Sequence, residues 1–474
     1  MEPYLLIDFG STYTKVTAVD LAYPRLLGTA KALTTVNEGL LTGYERALDQ
    51  LRQRTGEIKY VKKLACSSAA GGLKMVAIGL VPEMTVEAAK RAALGAGARV
   101  IGAFGFDLTG EEIREISCLK PDLILLAGGT DGGNRDCILH NGQALAKSSI
   151  GAPIIIAGNK TVAPEVNATL TAAGKECYLA PNVLPEIGRL EIEPVQKIIR
   201  ELFLRRIIQA KGLNEVNKVI DGITMPTPSA ALAAACRLAA GAEEKAGWGE
   251  LLLVDVGGAT TDVHSVAEGS PTQPQVMLRG LPEPRIKRTV EGDLGMRYSA
   301  LALVECFSER VIAETVGLTE DEVMAGVSER AGKVNYLPTD EEALRLEEVL
   351  GYYAVKGAVE RHVGRVEKFY TPYGLSYLQD GKDLTSLKTV IGTGGILVNT
   401  ANSGRLLSGA LFDPVRPEIL KPVSPKLFID QKYLFPTLGL IAEERPGEAF
   451  LLLEEALVEV APGRPGGEEQ GFGL

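Results

Sequence analysis

A short pattern that occurs twice limits what this chain can fold into more than any other feature. The stretch LLIDFGSTYTKV begins at Leu5, and LLVDVGGATTDV follows it 247 residues later. When the two are aligned, Asp8 meets Asp255, and Gly10 meets Gly257. Each copy is an apolar strand that ends at an aspartate, followed by a turn and a second strand. Two such copies indicate a duplicated domain rather than two unrelated hairpins.

The repeated aspartate predicts a cation site beside phosphate groups. A buried carboxylate destabilises the fold unless something holds its charge. The backbone N–H and hydroxyl groups of each turn are the donors that a phosphate needs. Because a carboxylate repels phosphate unless a cation lies between them, we expect Asp8 and Asp255 to hold Mg²⁺ through bound water. We expect Lys15 to neutralise charge on the transferring phosphoryl group, whereas the second copy has Asp262 in its place.

A third glycine-rich turn, VIGTGGILVN, begins at Val390 and reads as a strand, a turn and the start of a helix. It misses the GxGxxG dinucleotide pattern, and the chain has no GxxxxGK[ST] motif. The turn and hydroxyl residues that we predict to bind nucleotide are Gly10, Ser11, Thr12, Gly257, Gly258, Thr260, Thr261, Gly392, Gly394 and Gly395.

Asp131 lies in another glycine-rich stretch, GGTDGGN, and has two interpretations. Its side chain caps the helix that follows, or it faces the cleft as a catalytic group that orients water. His264 alternates with Val263 and Ser265 along the second hairpin strand, which favours a structural role.

Composition limits the partners and the compartment. The net charge of -10 argues against a nucleic-acid surface, because phosphate binding depends on Lys and Arg. The 6 cysteines are scattered without a CxxC pair and only 3 histidines occur, so we expect no iron–sulfur cluster and no histidine-based metal site. The apolar runs are too short to span a bilayer and the N-terminus does not resemble a signal peptide, which predicts a cytoplasmic protein without membrane contact.

The rhythm of the chain divides it into parts. Strands are expected at 4–8, 14–20 and 25–33, then parallel strands alternating with helices up to 183, and a charged helix over 341–370. The predicted divisions are a first domain over 1–190 with an α/β extension around 100–185, a helical linker over 191–249, a second domain over 250–460 and a flexible tail over 461–474.

The three turns, in this order, resemble the first phosphate, second phosphate and adenosine motifs of the actin, sugar-kinase and heat-shock-chaperone superfamily. The resemblance implies an α/β fold of two ribonuclease-H-like (actin-like ATPase) domains with Mg–ATP in the cleft between them. It also implies that Glu291 and Asp293 lie near the nucleotide.

Along nearly the whole chain, the segments IDFGSTYTK, DVGGATTDVHS, VEGDLGMR and LLAGGTDGGN resemble the MutL/GlmL family of glutamate mutase accessory proteins. This resemblance implies an ATPase that serves adenosylcobalamin-dependent amino-acid mutases and reactivates them. It leaves open whether the chain forms a homo-oligomer.

Three other functions fit the same fold. A small-molecule kinase needs a catalytic aspartate, and the strand that ends at Cys66 leads into SSAAGGL without a carboxylate. A filament-forming or scaffold ATPase would scatter light with ATP in a concentration-dependent way. An electron-transferring dehydratase activator would need cysteines around an iron–sulfur cluster at a dimer interface.

Overall fold

The computed structural model describes residues 1–34, 40–68, 73–209, 216, 218–243, 245–333, 335–372 and 374–463. Within these residues the strands are β1 Pro3–Phe9, β2 Tyr13–Asp20, β3 Arg25–Leu33, β4 Lys62–Ser67, β5 Lys74–Gly79, β6 Arg99–Gly105, β7 Leu123–Leu126, β8 Ile154–Ile156, β9 Cys177–Leu179, β10 Gly222–Pro226, β11 Gly241–Ala242, β12 Lys245–Ala246, β13 Leu251–Val256, β14 Thr261–Val266, β15 Val276–Arg279, β16 Ile286–Glu291, β17 Arg365–Thr371, β18 Gly374–Asp380, β19 Thr389–Thr393, β20 Lys426–Asp430 and β21 Leu457–Val460. The α-helices are Leu40–Thr55, Glu87–Gly95, Gly110–Leu119, Asp136–Lys147, Ala163–Ala172, Glu193–Gln209, Thr227–Ala240, Ala300–Phe307, Glu309–Val316, Glu320–Gly332, Glu341–His362, Gly395–Asn399, Ser403–Leu407, Phe435–Leu438 and Pro446–Ala456. Shorter helical turns are Pro82–Val86, Ser408–Ala410 and Gly439–Ile441.

Two of the sheets share one strand order. The first runs β3-β2-β1-β4-β10, and in the same direction the second runs β16-β14-β13-β19-β20-β21. In each, three antiparallel strands form one half, β1 to β3 in the first sheet and β13, β14 and β16 in the second. Two later strands lie parallel on the other side of the first of them. The second sheet adds β21 at its edge. The structure therefore confirms the duplicated fold and the α/β class of two actin-like ATPase domains.

Strand β1 is buried along its whole length because helices cover both faces of its sheet. Leu5 and Ile7 point into the core under the Leu40–Thr55 helix. Tyr4 and Leu6, which alternate with them, point into a second core. An uninterrupted apolar strand is what such two-sided coverage requires.

The second core joins the two halves of the molecule. It contains residues of β1 and β13 together with the alanine-rich Thr227–Ala240 helix and the Pro446–Ala456 helix. Trp248 packs at the edge of this core, with its ring centroid 4.7 Å from that of Phe428, and donates a hydrogen bond to Glu454. This shared core thus packs the two duplicated sheets against each other.

A third sheet is inserted between β4 and β10 of the first. Its order is β6-β5-β7-β8-β9, and all its strands are parallel. Strands β7 and β8 are the runs LILL and III, buried at every position because helices lie on both faces. The helices Glu87–Gly95 and Glu193–Gln209 cover one face. The helices Gly110–Leu119, Asp136–Lys147 and Ala163–Ala172 cover the other.

Some of the boundaries differ from those expected from the sequence. The charged helix predicted over 341–370 ends at His362, and β17 begins three residues later in a small sheet with β15 and β18. The segment expected to be a helical linker contributes strand β10 to the first sheet. The predicted flexible tail lies outside the described residues from residue 464 onward. Among the described helices, none is long and apolar enough to cross a membrane.

Candidate nucleotide site

The first hairpin turn is closed by glycine. Gly10 N–H donates to the Tyr13 carbonyl at 3.1 Å, and a Cβ on Gly10 would lie 2.7 Å from that oxygen. The second hairpin repeats this contact, since Gly257 N–H donates to the Thr260 carbonyl at 2.9 Å. A side chain at Gly257 would meet the same oxygen, so both turns require glycine for one steric reason.

The two turns face each other across the junction of the halves. A Cβ built on Gly258 would lie 3.6 Å from Thr12 Oγ1, which places the tips in contact range. Ser11 is exposed at the tip of the first turn. In the second turn, the hydroxyls are already engaged, because Thr260 donates to Asp262 and Thr261 donates to the Leu294 carbonyl.

The third glycine turn packs against the end of the second hairpin. Gly394 has a φ of 100°, and a Cβ there would lie 2.8 Å from Asp255 Oδ1. Gly392 is buried in β19, and Gly395 begins the Gly395–Asn399 helix. The structure thus brings together the three motifs that lie far apart in the sequence.

The carboxylate of Asp8 is completely buried, and its two oxygens have different surroundings. Oδ1 accepts a hydrogen bond from Thr227 Oγ1 at 2.7 Å and from the thiol of Cys66 at 3.6 Å. Oδ2 has no hydrogen-bond partner within the described part of the chain, and Lys15 Nζ lies 3.7 Å away. A buried carboxylate oxygen without a donor fits a hydrated cation.

Tyr433 connects Lys15 of the first hairpin with Asp255 of the second. Lys15 Nζ lies 2.9 Å from the centroid of the Tyr433 ring. The Tyr433 hydroxyl donates to Asp255 Oδ2 at 3.4 Å. Tyr433 has a φ of 54°, in the left-handed region that non-glycine residues seldom occupy. The loop that holds it is fixed by buried Asp430, which accepts hydrogen bonds from the N–H groups of Leu434 and Phe435.

The site is short of positive charge. Burial and the neighbouring carboxylates, first that of Asp262, raise the pKa of Asp255 to about 7. Burial also lowers the pKa of Lys15, although Asp8 and Asp255 oppose the shift. A divalent cation between the carboxylates would favour their ionised forms. No group of three or more His, Cys, Asp or Glu side chains that could hold a metal ion is found in the described ranges. A site made of Asp8 and Asp255 would therefore leave most of the Mg²⁺ coordination to water and phosphate, and Mg²⁺ commonly keeps several waters.

Asp262, the counterpart of Lys15, connects the second hairpin to the inserted sheet. Arg288 on β16 donates to Asp262 Oδ1 through Nε at 2.9 Å and through Nη2 at 2.6 Å. The same guanidinium donates to the carbonyls of Leu94 and Ala98, at the end of the Glu87–Gly95 helix. Arg288 is 5% exposed, so this contact is a buried ionic link between the hairpin and the inserted domain.

The carboxylates of Glu291 and Asp293 are paired with the guanidinium of Arg361. Arg361 donates to Glu291 at 2.8 Å and to both Asp293 oxygens, at 2.7 and 2.9 Å. Glu291 is paired in register with Thr261 of the second hairpin. Both residues are therefore beside the hairpin, and their role in nucleotide binding stays a prediction.

Asp131 lies in the loop that follows β7 of the inserted sheet, not beside either duplicated sheet. Its Oδ1 accepts hydrogen bonds from Lys160 N and Asn182 Nδ2, both at 3.0 Å. It does not cap the helix that follows, because the Cys137 N–H donates to Asn134. The capping interpretation is therefore wrong. The contacts of Asp131 lie within the inserted sheet and give no support to a role in hydrolysis.

Sequence reasoning missed four residues around Asp8 and Asp255, namely Cys66, Thr227, Asp430 and Tyr433. Asp430 had a visible signal, since it ends an apolar strand in LFID as Asp8 does in LLID. Thr227 had none, because it lies 219 residues from Asp8 along the chain.

Two duplicated sheets whose hairpin turns meet over paired aspartates define a protein of the actin-like ATPase class. A model of the family described as MutL protein matches residues 4–457. Protein MutL of Clostridium tetanomorphum is 48% identical over 462 residues, which cover 97% of this chain and 100% of that protein. The chain therefore belongs to the MutL family.

Solved structures show more distant likenesses. A diol dehydratase-reactivating factor in nucleotide-free form is 11% identical, with a TM-score of 0.37 over 94% of this chain and 100% of that one. The activator of the 2-hydroxyisocaproyl-CoA dehydratase from Clostridium difficile, with bound ADPNP, is 10% identical, with a TM-score of 0.29 over 96% of this chain and 95% of that one. At these scores they add no argument to the strand order and the family match.

Proposed function

We propose that this protein is an ATP-driven accessory protein that reactivates an adenosylcobalamin-dependent amino-acid mutase of the glutamate mutase type. Mg–ATP binds between the two hairpins, with Asp8 and Asp255 holding the hydrated cation and Lys15 facing the phosphates. Mg²⁺ supplies charge neutralisation on the phosphate oxygens when it is bound.

One observation carries the nucleotide part of the proposal. Lys15 contacts the Tyr433 ring while the Tyr433 hydroxyl contacts Asp255, so groups from both halves converge on one point. Asp8 Oδ2, a buried oxygen that accepts no hydrogen bond from the described residues, lies 3.7 Å from Lys15 Nζ. A ligand at that point would touch both halves, and its differential affinity for closed and open forms would shift their populations. Membership of the MutL family supports the accessory role.

The mutase part follows from the chemistry of radical enzymes. A side reaction leaves damaged cofactor trapped in a closed enzyme, and exchange requires an open state that the enzyme seldom visits. An accessory protein promotes that state only if it binds the open form more tightly, and a shift from 1:99 to 99:1 takes about 5.5 kcal/mol of difference. A cycle of ATP binding and hydrolysis lets the accessory protein bind the open mutase and then release it.

The test is recovery of turnover by a mutase whose site is blocked with damaged cobalamin. Fresh adenosylcobalamin, Mg–ATP and this protein should restore activity, whereas Mg–ADP should not. Asp8→Asn should lower ATP hydrolysis at least roughly 100-fold, since a metal contributes several kcal/mol to the transition state. Asp49→Asn is the matched control, because Asp49 is an exposed residue paired with Arg52.

Absence of nucleotide-dependent recovery would overturn the reactivation role. Transfer of labelled phosphate from ATP to candidate polyols or acids would instead establish a kinase. Residues 69–72 of the SSAAGGL loop, which has no carboxylate, lie outside the described residues. Full ATPase activity in both Asp8→Asn and Asp255→Asn would overturn the assignment of the site.

A further inference from the structure

Thr227 is a buried residue that contacts the carboxylate of Asp8. It directly follows β10 and begins the Thr227–Ala240 helix. It is 6% exposed, and its hydroxyl donates to Asp8 Oδ1 at 2.7 Å. Because an ionised carboxylate only accepts hydrogen bonds, the proton of this hydroxyl points at Asp8. The contact therefore acts on one of the two carboxylates of the candidate cation site.

This contact does not arise from helix capping. A threonine that caps a helix accepts a hydrogen bond from a backbone N–H two or three positions further on. Here the residue at the cap position is Pro226, and it makes no side-chain capping bond. The Thr227 hydroxyl instead bonds to Asp8, 219 residues away along the chain.

The segment around Thr227 is fixed on both sides. Pro226 has a φ of -62°, held by its ring, and Pro228 follows Thr227 directly. Ser229 donates to the Ala96 carbonyl at 3.1 Å, which attaches the segment to the inserted domain. A hydroxyl on such a fixed segment loses little freedom when it bonds, and it holds its acceptor in one orientation.

The hydroxyl distinguishes the two oxygens of Asp8. The last torsion of an aspartate side chain is broad and roughly twofold, so without a specific donor the two oxygens can exchange places. Thr227 holds Oδ1 at 2.7 Å. Oδ2 is then the oxygen that lies 3.7 Å from Lys15 Nζ and accepts no hydrogen bond from the described residues. The Thr227 contact thus determines which oxygen is open to a cation.

The Cys66 thiol cannot replace this donor. Its Sγ lies 3.6 Å from Asp8 Oδ1, but it also lies 3.7 Å from the carbonyls of Ile7 and Pro436. A thiol is a weak donor with a single proton, which here has three possible acceptors. Loss of the Thr227 hydroxyl would therefore remove the stronger of these two donors to Oδ1.

The second half of the molecule repeats the arrangement. Strands β10 and β20 occupy the same place in the two duplicated sheets. Thr227 follows β10, and Tyr433 lies in the segment after β20. Each donates a hydroxyl hydrogen bond to the hairpin aspartate of its own sheet, Asp8 in the first and Asp255 in the second. A hydroxyl donor to the hairpin aspartate is therefore part of the duplicated architecture.

We propose that Thr227 is a positioning residue for the cation, because its hydroxyl fixes the Asp8 carboxylate in the orientation that binds hydrated Mg²⁺. This role rests on the proposed function, in which Asp8 holds the metal beside the nucleotide. Groups that orient the ligands of a metal commonly change its affinity by about 10–100-fold when they are removed.

The test is binding of ADPNP, an ATP analogue that is not hydrolysed, to the full chain by isothermal titration calorimetry in saturating Mg²⁺. Thr227→Val keeps the branched shape of the side chain without the donor, and it should weaken binding of Mg–ADPNP by about 10–100-fold. Thr227→Ser keeps the hydroxyl and should bind like the parent protein. Thr85→Val is the matched control, since it removes another buried hydroxyl, in the inserted domain, and should leave binding unchanged.

A double-mutant cycle shows whether Thr227 acts through Asp8. In the Asp8→Asn protein, Thr227→Val should cause a much smaller loss of Mg–ADPNP binding than it causes in the parent. Urea unfolding followed by Trp248 fluorescence checks that each variant is folded, and Thr227→Ala carries the same expectation if Thr227→Val does not fold.

The outcomes separate the role of Thr227 from the proposed function. If Asp8→Asn weakens Mg–ADPNP binding and Thr227→Val does not, the positioning role is overturned and the nucleotide site stands. The same holds if Thr227→Ser loses as much affinity as Thr227→Val, or if Thr227→Val causes equal losses with and without Asp8. Binding by Asp8→Asn that equals that of the parent would overturn the nucleotide site itself.

Discussion

Replacing Asp255 by Asn should make the protein more stable while it loses activity. Burial, with the carboxylate of Asp262 next, raises the pKa of Asp255 from 3.8 to about 7. Such a shift corresponds to about 4 kcal/mol, since each tenfold change in proton affinity is about 1.36 kcal/mol. Asp255 is half-buried, and solvent screening reduces the figure to about 2 kcal/mol. An amide carries no charge, so Asp255→Asn removes this penalty.

The sign of the pH dependence makes the prediction specific. The folded protein holds the Asp255 proton more tightly than the unfolded chain, so this group costs stability progressively as pH rises from about 4 to about 7. Urea unfolding should therefore show Asp255→Asn about 2 kcal/mol more stable than the parent near pH 8, with the gap closing near pH 4. Asp49→Asn should show no such gap. A lower stability of Asp255→Asn near pH 8, or a gap independent of pH, would show that the charged Asp255 carboxylate does not destabilise the fold.

Three further changes test other residues. Arg288→Gln leaves the Asp262 carboxylate buried without its partner and should lower the free energy of unfolding in urea by about 3–5 kcal/mol. Arg285→Gln, which breaks an exposed ion pair, should lower it by less than about 1 kcal/mol. Burial lowers the pKa of His264 to about 3, so stability is lost as pH falls below about 6.5; His264→Leu should flatten that loss in acid unfolding curves. Tyr433→Phe keeps the ring against Lys15 and should retain ATP turnover within about tenfold, whereas Tyr433→Ala should lose more. Equal losses of steady-state turnover in the two variants would show that the ring does not contribute.

The hairpins were predictable because their information is local. An apolar strand, an aspartate and a glycine within a few residues determine the strand, its end and the turn. The same signal repeated at Asp255 predicted the duplication. Strands β1 to β3 accordingly follow the bounds expected from the sequence to within one residue.

Residues whose role depends on tertiary contacts were not predictable in this way. Thr227 and Tyr433 reach the site from distant parts of the chain, and neither has a local pattern that marks it. Asp131 does have a local pattern, but a glycine-rich loop around an aspartate does not indicate which sheet the loop belongs to. Only the strand order places it in the inserted domain rather than at the hairpins. The strand Arg365–Thr371 falls within the predicted charged helix because its charged residues continue the composition of the helix before it.

Coupling between the nucleotide and the partner enzyme is measured by the affinity of this protein for an adenosylcobalamin-dependent mutase in its two nucleotide states. If the nucleotide bound at the hairpins changes the affinity for the mutase, the dissociation constant should differ at least roughly tenfold between Mg–ATP and Mg–ADP, a usual size for such coupling. Asp8→Asn should abolish that difference, and Asp49→Asn should preserve it. Equal dissociation constants with ATP and ADP in the parent protein would show that the bound nucleotide does not control binding of the mutase.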